Sequence, residues 1–256
     1  MKHLLYISSF LMLALLASCE QFRTIGGSTS DSTETASSEP QFDTLSINIR
    51  KGVIEDKEYP CYHISVNAVL SGNETIDRVL TERLFALEGM TPREAMALFT
   101  DSLESQFSQE LAEFSSLSDG DEDMEYEYDV TCSPVEPVDT ASGVISFLCT
   151  FETYQGGAHG GYECYYLNFS LKDGHLITLS EVYDGDPCPA MHEKLLSENG
   201  CRTDEELMEK TQILMLGELY ATENFLIEGD SLLFHFNPYE IAPYSAGAIE
   251  VVIPCK

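Results

Sequence analysis

The sequence predicts an α+β fold in which antiparallel meander sheets pack with a few helices, in two closely associated subdomains. The first observation is an alternation of apolar and polar residues on both sides of the glycine cluster 156–161, over 144–152 and 164–171. This period of two indicates two long antiparallel strands joined by a flexible tip. The second observation is the order of elements, which runs from strands to helices and back to strands without regular β–α alternation.

The first predicted subdomain, residues 41–117, begins with two strands. Apolar residues alternate with polar ones over 45–49 and again over 64–70, which predicts one strand at each place. Apolar residues then recur with helical spacing over 76–87. We expect this helix to end at Gly89, because glycine tolerates the left-handed backbone that often follows a helix.

The clearest helix start in the chain follows that glycine. Thr91 is a favoured N-cap residue, Pro92 suits the first helical position, and Glu94 completes a capping box. The apolar face of this helix continues to about Phe114.

An acidic segment opens the second predicted subdomain, residues 118–256. Asp119, Asp121 and Asp123 have the spacing of a calcium-binding loop, but the sixth position is Met124 where that loop requires glycine. The twelfth position is valine where the loop requires glutamate. The alternation of apolar residues with acids favours a half-buried strand with a charged outer face.

The rest of this subdomain is predicted to continue the meander and then to add helices and closing strands. The turn signal Asp173-Gly174 predicts a third strand over 176–179, paired back on the hairpin. One helix is predicted from Asp186 to Leu196, and a capping box at Thr203 predicts another that runs to about Gly217. The closing strands are predicted at 225–227, 232–236 and 249–253.

The N-terminus is typical of a bacterial lipoprotein. Residues 1–18 form a signal peptide, with a basic start and an apolar run that is short for a membrane span. The sequence Leu16-Ala17-Ser18-Cys19 resembles a lipobox, which predicts cleavage before Cys19 and acylation of its thiol. Residues 19–40 are then a lipid anchor and a disordered Ser/Thr-rich tether. This predicts a cell-envelope protein anchored outside the cytoplasm, on a periplasmic face or the cell surface; the alternative is an ordinary cleaved signal peptide.

The charge of the chain limits its partners. It contains 44 Asp and Glu residues against 13 Lys and Arg residues. This excess argues against nucleic acid and anionic lipid surfaces as partners, whereas a basic partner would be attracted. Solubility is the alternative explanation of the same charge.

The cysteine count is odd once Cys19 is assigned to the lipid. Eight cysteines are present, so seven remain and at least one of them stays unpaired or bonds to another chain. We expect no bond between Cys149 and Cys164, because the alternation places them on opposite faces of their strands. Cys188 and Cys201 flank one predicted helix and are the first pair to test.

The sequence contains no recognisable catalytic motif, metal-binding motif or cofactor site. It lacks G-x-S-x-G, C-x-x-C and H-E-x-x-H, and its scattered histidines share no ligand spacing. His235 alternates with two phenylalanines and is predicted on the outer face of a strand. His159, in the glycine tip, either offers its imidazole to a ligand or is tolerated in the turn. The aromatic residues near Tyr239 either form a docking surface or pack within the fold.

Four stretches together resemble a known family. They are 154–162, 166–169, 179–183 and 236–247. The sequence 129–254 resembles an extracytoplasmic domain of unknown function found in bacteria. The same domain forms the lysozyme-binding half of the anti-sigma factor RsiV and accompanies the peptidoglycan deacetylase PdaC, as part of its non-catalytic N-terminal region. Residues 41–117 resemble the smaller PdaC-like domain that usually precedes it.

The resemblance implies a binding module without catalysis of its own. Its expected ligand is an envelope-related one, either a lysozyme-like glycan hydrolase or a cell-wall glycan. The alternatives are an envelope glycan hydrolase or metal-dependent deacetylase, and a structural accessory lipoprotein without a soluble ligand. The candidate ligand-binding residues are Gly156, Gly157, His159, Gly160, Gly161, Tyr154, Tyr162, Tyr239, Glu240 and Tyr244.

Overall fold

A computed structural model describes residues 42–53, 58–117, 125–138 and 142–255 of the chain. The predicted signal peptide, Cys19, the tether and the calcium-like spacing at 119–123 lie outside these ranges. Within them, no helix is both long enough and apolar enough to cross a membrane.

The described residues form five helices and eight strands, which confirms the predicted α+β class. The strands are β1 (Asp43–Val53), β2 (Glu58–Leu70), β3 (Glu125–Pro134), β4 (Val144–Tyr154), β5 (Gly161–Ser170), β6 (Phe225–Glu228), β7 (Ser231–Phe236) and β8 (Ile249–Pro254). The helices are α1 (Glu74–Phe85), α2 (Pro92–Leu117), α3 (Leu179–Val182), α4 (Cys188–Asn199) and α5 (Asp204–Thr211).

The first sheet contains five strands in the order β1-β2-β3-β4-β5. All neighbours are antiparallel except β2 and β3, which pair in parallel from Cys61 opposite Glu125 to Ala68 opposite Cys132. This exception follows from the connection, because α1 and α2 lie between these two strands and a parallel pair requires such a crossover. The subdomain boundary predicted at residue 117 therefore falls within one continuous sheet.

Both helices of this half begin at side-chain caps. Asn73 accepts hydrogen bonds from the backbone N–H groups of Thr75 and Ile76 through its side-chain oxygen. The capping box predicted at Thr91 is confirmed, since the Thr91 N–H donates to the Glu94 carboxylate (3.2 Å) and the Glu94 N–H donates to the Thr91 hydroxyl (3.3 Å). The two helices pack against the inner face of the sheet and form an apolar core with it. This core contains buried side chains such as Ile64, Val66, Met96, Phe107 and Phe147.

A second sheet, β6-β7-β8, packs with α3, α4 and α5 around a separate core. The core includes Met191, Leu207, Phe234, Phe236 and Val251. The members of the first core end at Leu176 and those of the second begin at Leu179, so the two cores divide there rather than at residue 117.

Three predicted elements are shorter than expected. The first helix ends at Phe85, because Ala86 adopts the left-handed backbone (φ 54°) that was expected at Gly89. The third strand over 176–179 is reduced to a single bridge between Phe169 and Leu176, because helix α3 begins at Leu179 after the Thr178 N–H donates to the Glu181 carboxylate (2.7 Å). The helix expected to reach Gly217 ends at Thr211, where Gln212 adopts a left-handed backbone (φ 66°).

Asparagine side chains join the second sheet to the free edge of β5. The Asn237 Oδ1 accepts the Cys164 N–H (2.7 Å), and the Asn224 Oδ1 accepts the Tyr166 N–H (2.9 Å). Asn224 also donates through Nδ2 to the Cys164 carbonyl (2.8 Å), and Asn168 of β5 donates to the Phe225 carbonyl (2.7 Å). These bonds satisfy backbone groups that an edge strand otherwise leaves exposed. They also bring the segment after β7 next to the tip of the β4–β5 hairpin.

Candidate functional site

The predicted central hairpin is present. Strands β4 and β5 pair in register from Val144 opposite Ser170 to Thr153 opposite Gly161. The tip needs glycine for two different reasons. Gly156 and Gly157 have positive φ values of 76° and 100°, which L-residues with side chains rarely adopt. A Cβ on Gly160 would lie 2.5 Å from the Thr153 carbonyl oxygen, so this glycine permits a close approach of the two sides of the hairpin.

The side chain of His159 is exposed and stacks on a tyrosine from the segment between β7 and β8. Its ring centroid is 3.9 Å from that of Tyr244, with 13° between the planes. Tyr239 completes the group, with ring centroids 6.4 Å from His159 and 5.6 Å from Tyr244. We call His159, Tyr239 and Tyr244 the aromatic cluster. The aromatic cluster brings together the glycine tip and the segment near Tyr239, which the sequence analysis identified as separate candidate binding regions.

Hydrogen bonds set the orientation of the His159 ring. The Nδ1 atom is 2.9 Å from the Gly160 carbonyl oxygen, and a carbonyl only accepts, so Nδ1 carries the proton. In the neutral ring Nε2 is then an acceptor, and the Tyr239 hydroxyl lies 3.4 Å from it. The ring is therefore held at both nitrogens although the residue is exposed.

The two tyrosines are presented by an irregular segment after β7. Tyr239 has a positive φ of 74°, unusual for a residue with a side chain, and 57% of it is exposed. Its N–H donates to the Ala242 carbonyl (3.1 Å), which closes a tight turn. Tyr244 begins a short 3₁₀ turn, and the hydroxyl of the next residue, Ser245, donates to the Gln212 side chain (2.9 Å). Strained backbone of this kind is often found at functional sites.

The remaining predicted site residues are close in sequence but do not join the cluster. The Tyr154 hydroxyl donates to the Gly157 carbonyl (3.3 Å), so this ring braces the tip. Burial, with the neighbouring Cys164 as a second cause, raises the pKa of Tyr162 to about 12. The half-buried Glu240 accepts the Asn237 N–H (3.1 Å), which stabilises the turn that carries Tyr239.

An exposed apolar segment borders the cluster and was missed by the sequence analysis. Met215 and Leu216 are 55% and 51% exposed, and Tyr220 packs edge-on against Phe236 (5.3 Å between centroids). A Cβ on Gly217 would lie 3.6 Å from the Glu240 carbonyl oxygen, so the segment runs alongside the turn that carries Tyr239. The sequence did not reveal it because most of this stretch was predicted as the last turn of a helix that runs to about Gly217, whereas the helix ends at Thr211.

His235 is buried, and its predicted place on an outer face is wrong. Only 3% of the residue is exposed, because β7 is covered on both sides: its phenylalanines enter the second core, and His235 faces β5. Its Nδ1 donates to the Glu250 carboxylate (3.2 Å), and its Nε2 lies 3.0 Å from the Cys164 sulfur. Burial raises the pKa of the Cys164 thiol to about 11, so the thiol is protonated at neutral pH. This chain of contacts links the two sheets.

The cysteines correct a second expectation. Cys188 and Cys201 are free thiols in the structure and lie at opposite ends of α4. A helix of 12 residues is about 18 Å long, whereas a disulfide requires Cα atoms within about 7 Å. The expectation that Cys149 and Cys164 do not pair is confirmed, because Cys149 is opposite Tyr165 and Cys164 is opposite Thr150, which places them on different faces.

No metal site is found within the described ranges, where no three or more His, Cys, Asp or Glu side chains are placed to hold an ion. The exposed His175 contacts two carboxylates, those of Asp173 (2.6 Å) and Glu181 (2.9 Å). The three side chains pair with one another at the turn between β5 and α3. None of these three described side chains hydrogen bonds to a residue of the aromatic cluster.

Comparison with known proteins places the chain beside a family of unknown function. Residues 189–256 match the family model described as "Protein of unknown function (DUF3298)". A crystal structure of a DUF3298 family member from Bacteroides fragilis is similar over 84% of this chain and 90% of its own, with a TM-score of 0.71 and 22% identity. A DUF3298 family protein from Pseudomonas aeruginosa is similar over 84% and 91%, with a TM-score of 0.52 and 14% identity. These likenesses show the fold, and no curated protein matches the sequence.

Proposed function

We propose that this protein is an exported, lipid-anchored binding module that grasps an envelope-related ligand through the aromatic cluster. The observation that supports it is the stack of the exposed His159 on the half-buried Tyr244, beside the exposed Tyr239. The rigid sheets position this group, and its residues come from loops, where binding residues are often found. The proposal assigns the module no catalysis of its own.

The charge of the chain favours a basic protein as the ligand. The full sequence carries a formal net charge of −31, and such a field attracts cationic proteins and speeds their encounter. Tyrosine and histidine rings at the centre of an interface supply apolar area together with hydrogen-bonding groups. The bordering Met215 and Leu216 extend this area. A lysozyme-like glycan hydrolase, which the family resemblance also implies, has the required charge.

A cell-wall glycan is the second candidate ligand. The aromatic cluster offers ring faces and edges of three side chains within 6.4 Å of one another. Apolar faces of sugar rings pack against such rings, and hydroxyls on the sugar can bond to the Tyr239 hydroxyl. Binding of a glycan does not depend on the net charge of the chain, so the retention experiment described next can distinguish a glycan from a basic protein.

A retention experiment separates the two ligands. Full-length protein is immobilised in detergent and offered lysozyme, or soluble peptidoglycan fragments, at moderate salt. We expect lysozyme to be retained, to be released as salt is raised, and to be lost with Tyr244→Ala. Leu98→Ala, which truncates an exposed apolar side chain of α2 outside the cluster, is the matched control and should retain lysozyme. Retention of fragments alone makes the ligand a glycan, and retention of neither refutes the proposal.

Two rival functions are tested with the same material. An envelope glycan hydrolase or metal-dependent deacetylase would release products from peptidoglycan, with or without added divalent metal. Turnover that disappears with His159→Ala would replace the binding proposal with a catalytic one. A structural accessory lipoprotein would neither retain ligands nor release products.

The cellular location is part of the proposal. Acylation of Cys19, together with cleavage of residues 1–18, would hold the module at the envelope through residues 19–40, outside the cytoplasm. A tether of this composition leaves the module free to reach its ligand. The proposed partners are thus the membrane, through the lipid, and an envelope-related ligand, with no nucleic acid.

A further inference from the structure

Two buried cysteines face each other across adjacent strands of the first sheet. Cys132 of β3 is directly opposite Cys149 of β4 in the antiparallel register. Their sulfurs are 3.3 Å apart, and the residues are 3% and 2% exposed. Among the residues that the structure describes, no other two cysteine sulfurs lie within hydrogen-bonding distance of each other.

The strand geometry suits a covalent bond between them. Directly opposite residues in an antiparallel pair have Cα atoms about 4.5 or 5.5 Å apart, and a disulfide accepts about 4.4–6.8 Å. Both side chains point to the same face of the sheet, because opposite residues always do. The sulfurs can therefore reach bonding distance by side-chain rotation, without a shift of either strand.

We propose that Cys132 and Cys149 form an intrachain disulfide when the protein folds in the presence of a disulfide oxidant. One cysteine thiolate attacks a sulfur of a small-molecule or protein disulfide, forming a mixed disulfide and displacing one thiolate. The second cysteine thiolate attacks the protein sulfur of that mixed disulfide and displaces the other thiolate. Two cysteine thiols thus lose two electrons and two protons, and the oxidant disulfide becomes two thiols.

The disulfide between Cys132 and Cys149 forms while the protein folds. In the folded protein, the hydrogen bond between the two thiols and burial raise the pKa of Cys149 well above its ordinary value, so little thiolate is present. The surrounding core also excludes an oxidant, since the two flanking pairs on the same face are Val130 with Phe151 and Pro134 with the fully buried Phe147. Oxidation therefore occurs before the sheet is fully closed, and the finished bond is then protected from reduction.

The other cysteines have different surroundings. Cys61 is fully buried in the same sheet but lies opposite Glu125, and Cys164 contacts His235. Cys188 and Cys201 are separated by the length of α4. Cys61 therefore serves as a matched control that shares the burial of the pair and lacks an opposite thiol.

Mass spectrometry tests the proposed bond. Full-length protein is reduced, unfolded and refolded in a buffer of oxidised and reduced glutathione, and the remaining thiols are alkylated. Trypsin would leave both cysteines on one peptide, whereas a protease that cleaves after Asp and Glu separates them at Asp139. We expect a disulfide-linked peptide pair containing Cys132 and Cys149, with Cys61 alkylated. Alkylation of both Cys132 and Cys149, or their linkage to other cysteines, overturns the proposal.

Thermal unfolding gives an independent readout. The oxidised protein should melt about 5–10 °C above the reduced protein, because the bond closes a short loop in the unfolded chain. Cys61→Ser should keep this redox-dependent shift, and Cys149→Ser should lose it. If Cys149→Ser does not fold, the linked peptide from the unsubstituted protein still decides the question. These measurements do not involve ligand binding, so they succeed or fail independently of the proposed function.

Discussion

The imidazole of His159 lies flat against the ring of Tyr244, with 3.9 Å between the centroids, although the two residues belong to loops of different sheets. Their contact depends on the asparagine bonds that hold the second sheet against β5. The fold thus assembles an exposed group that neither loop presents alone. The predictions below test the parts of this arrangement separately.

Removal of the Asn224 side chain should weaken the join between the sheets. It accepts the Tyr166 N–H and donates to the Cys164 carbonyl, so Asn224→Ala leaves one part-buried and one buried backbone group without these partners. We expect a loss of about 2–4 kcal/mol in the free energy of unfolding, measured by urea denaturation. Asn48→Ala, which removes an exposed side chain of β1, should cost less than about 0.5 kcal/mol. Equal losses for the two variants would show that the Asn224 bonds do not hold the sheets.

Side chains added at the hairpin tip should destabilise it. In Gly160→Ala the new Cβ meets the Thr153 carbonyl oxygen at 2.5 Å, so the backbone of the tip must shift. We expect a loss of about 1–3 kcal/mol in unfolding free energy, together with a change in the His159 ring environment seen by NMR. Ala158→Ser, at an exposed position of the same tip, should be nearly neutral. An unchanged Gly160→Ala protein would contradict the close approach.

The exposed His175 should titrate at a higher pH than a free histidine. Hydrogen bonds, first to Asp173 and then to Glu181, raise its pKa, and the same contact lowers the pKa of Asp173 to about 2. NMR titration should show that Asp173→Asn lowers the His175 midpoint, while Glu198→Gln, in α4, leaves it unchanged. A midpoint that does not move on Asp173→Asn would contradict the pairing.

The same pairing sets a pH window for its stabilising effect. The raised pKa of His175 means that its contribution is complete below the unfolded value of about 6.5 and is lost as the pH rises through the folded value. The lowered pKa of Asp173 means that its contribution is complete above the unfolded value of about 3.9 and is lost as the pH falls through about 2. The contacts of His175 with Asp173 should therefore stabilise the turn most between about pH 4 and 6.5. Amide hydrogen exchange of this turn measures the effect.

Membrane attachment should depend on one thiol. In cells that produce the full chain, Cys19→Ala should abolish incorporation of labelled palmitate and leave the protein with an uncleaved leader, because acylation precedes cleavage in lipoprotein processing. Cys61→Ala, which changes a buried cysteine of β2, should be labelled normally. Normal labelling of Cys19→Ala would refute the lipidation proposal.

Features that depend on neighbouring residues in the chain were predictable. The Thr91 capping box and the β4–β5 hairpin need only local spacing, and both are present where the sequence indicates them. Local signals also compete. Asp173-Gly174 predicted a third strand, yet the pairing of Thr178 with Glu181 begins a helix three residues after the bridge at Leu176. The alternation over the hairpin could not reveal which chain segment would meet its tip.

Features that depend on packing between distant elements were not predictable. His235 alternates with two phenylalanines, and a period of two separates the faces of a strand without showing that both are covered. The place of Tyr239 and Tyr244 beside His159 depends on the asparagine bonds, which join residues about 60 to 70 positions apart. The facing cysteines Cys132 and Cys149 likewise depend on the register of β3 with β4.

The central claim, that the aromatic cluster grasps a ligand, is tested most directly by titration calorimetry. The full-length protein in detergent is titrated with the ligand that the retention experiment identifies, lysozyme or peptidoglycan fragments. The account predicts that His159→Ala and Tyr244→Ala each weaken the affinity at least about tenfold, which corresponds to about 1.4 kcal/mol, whereas Leu98→Ala binds like the unsubstituted protein. Unchanged affinity in both cluster variants would contradict it.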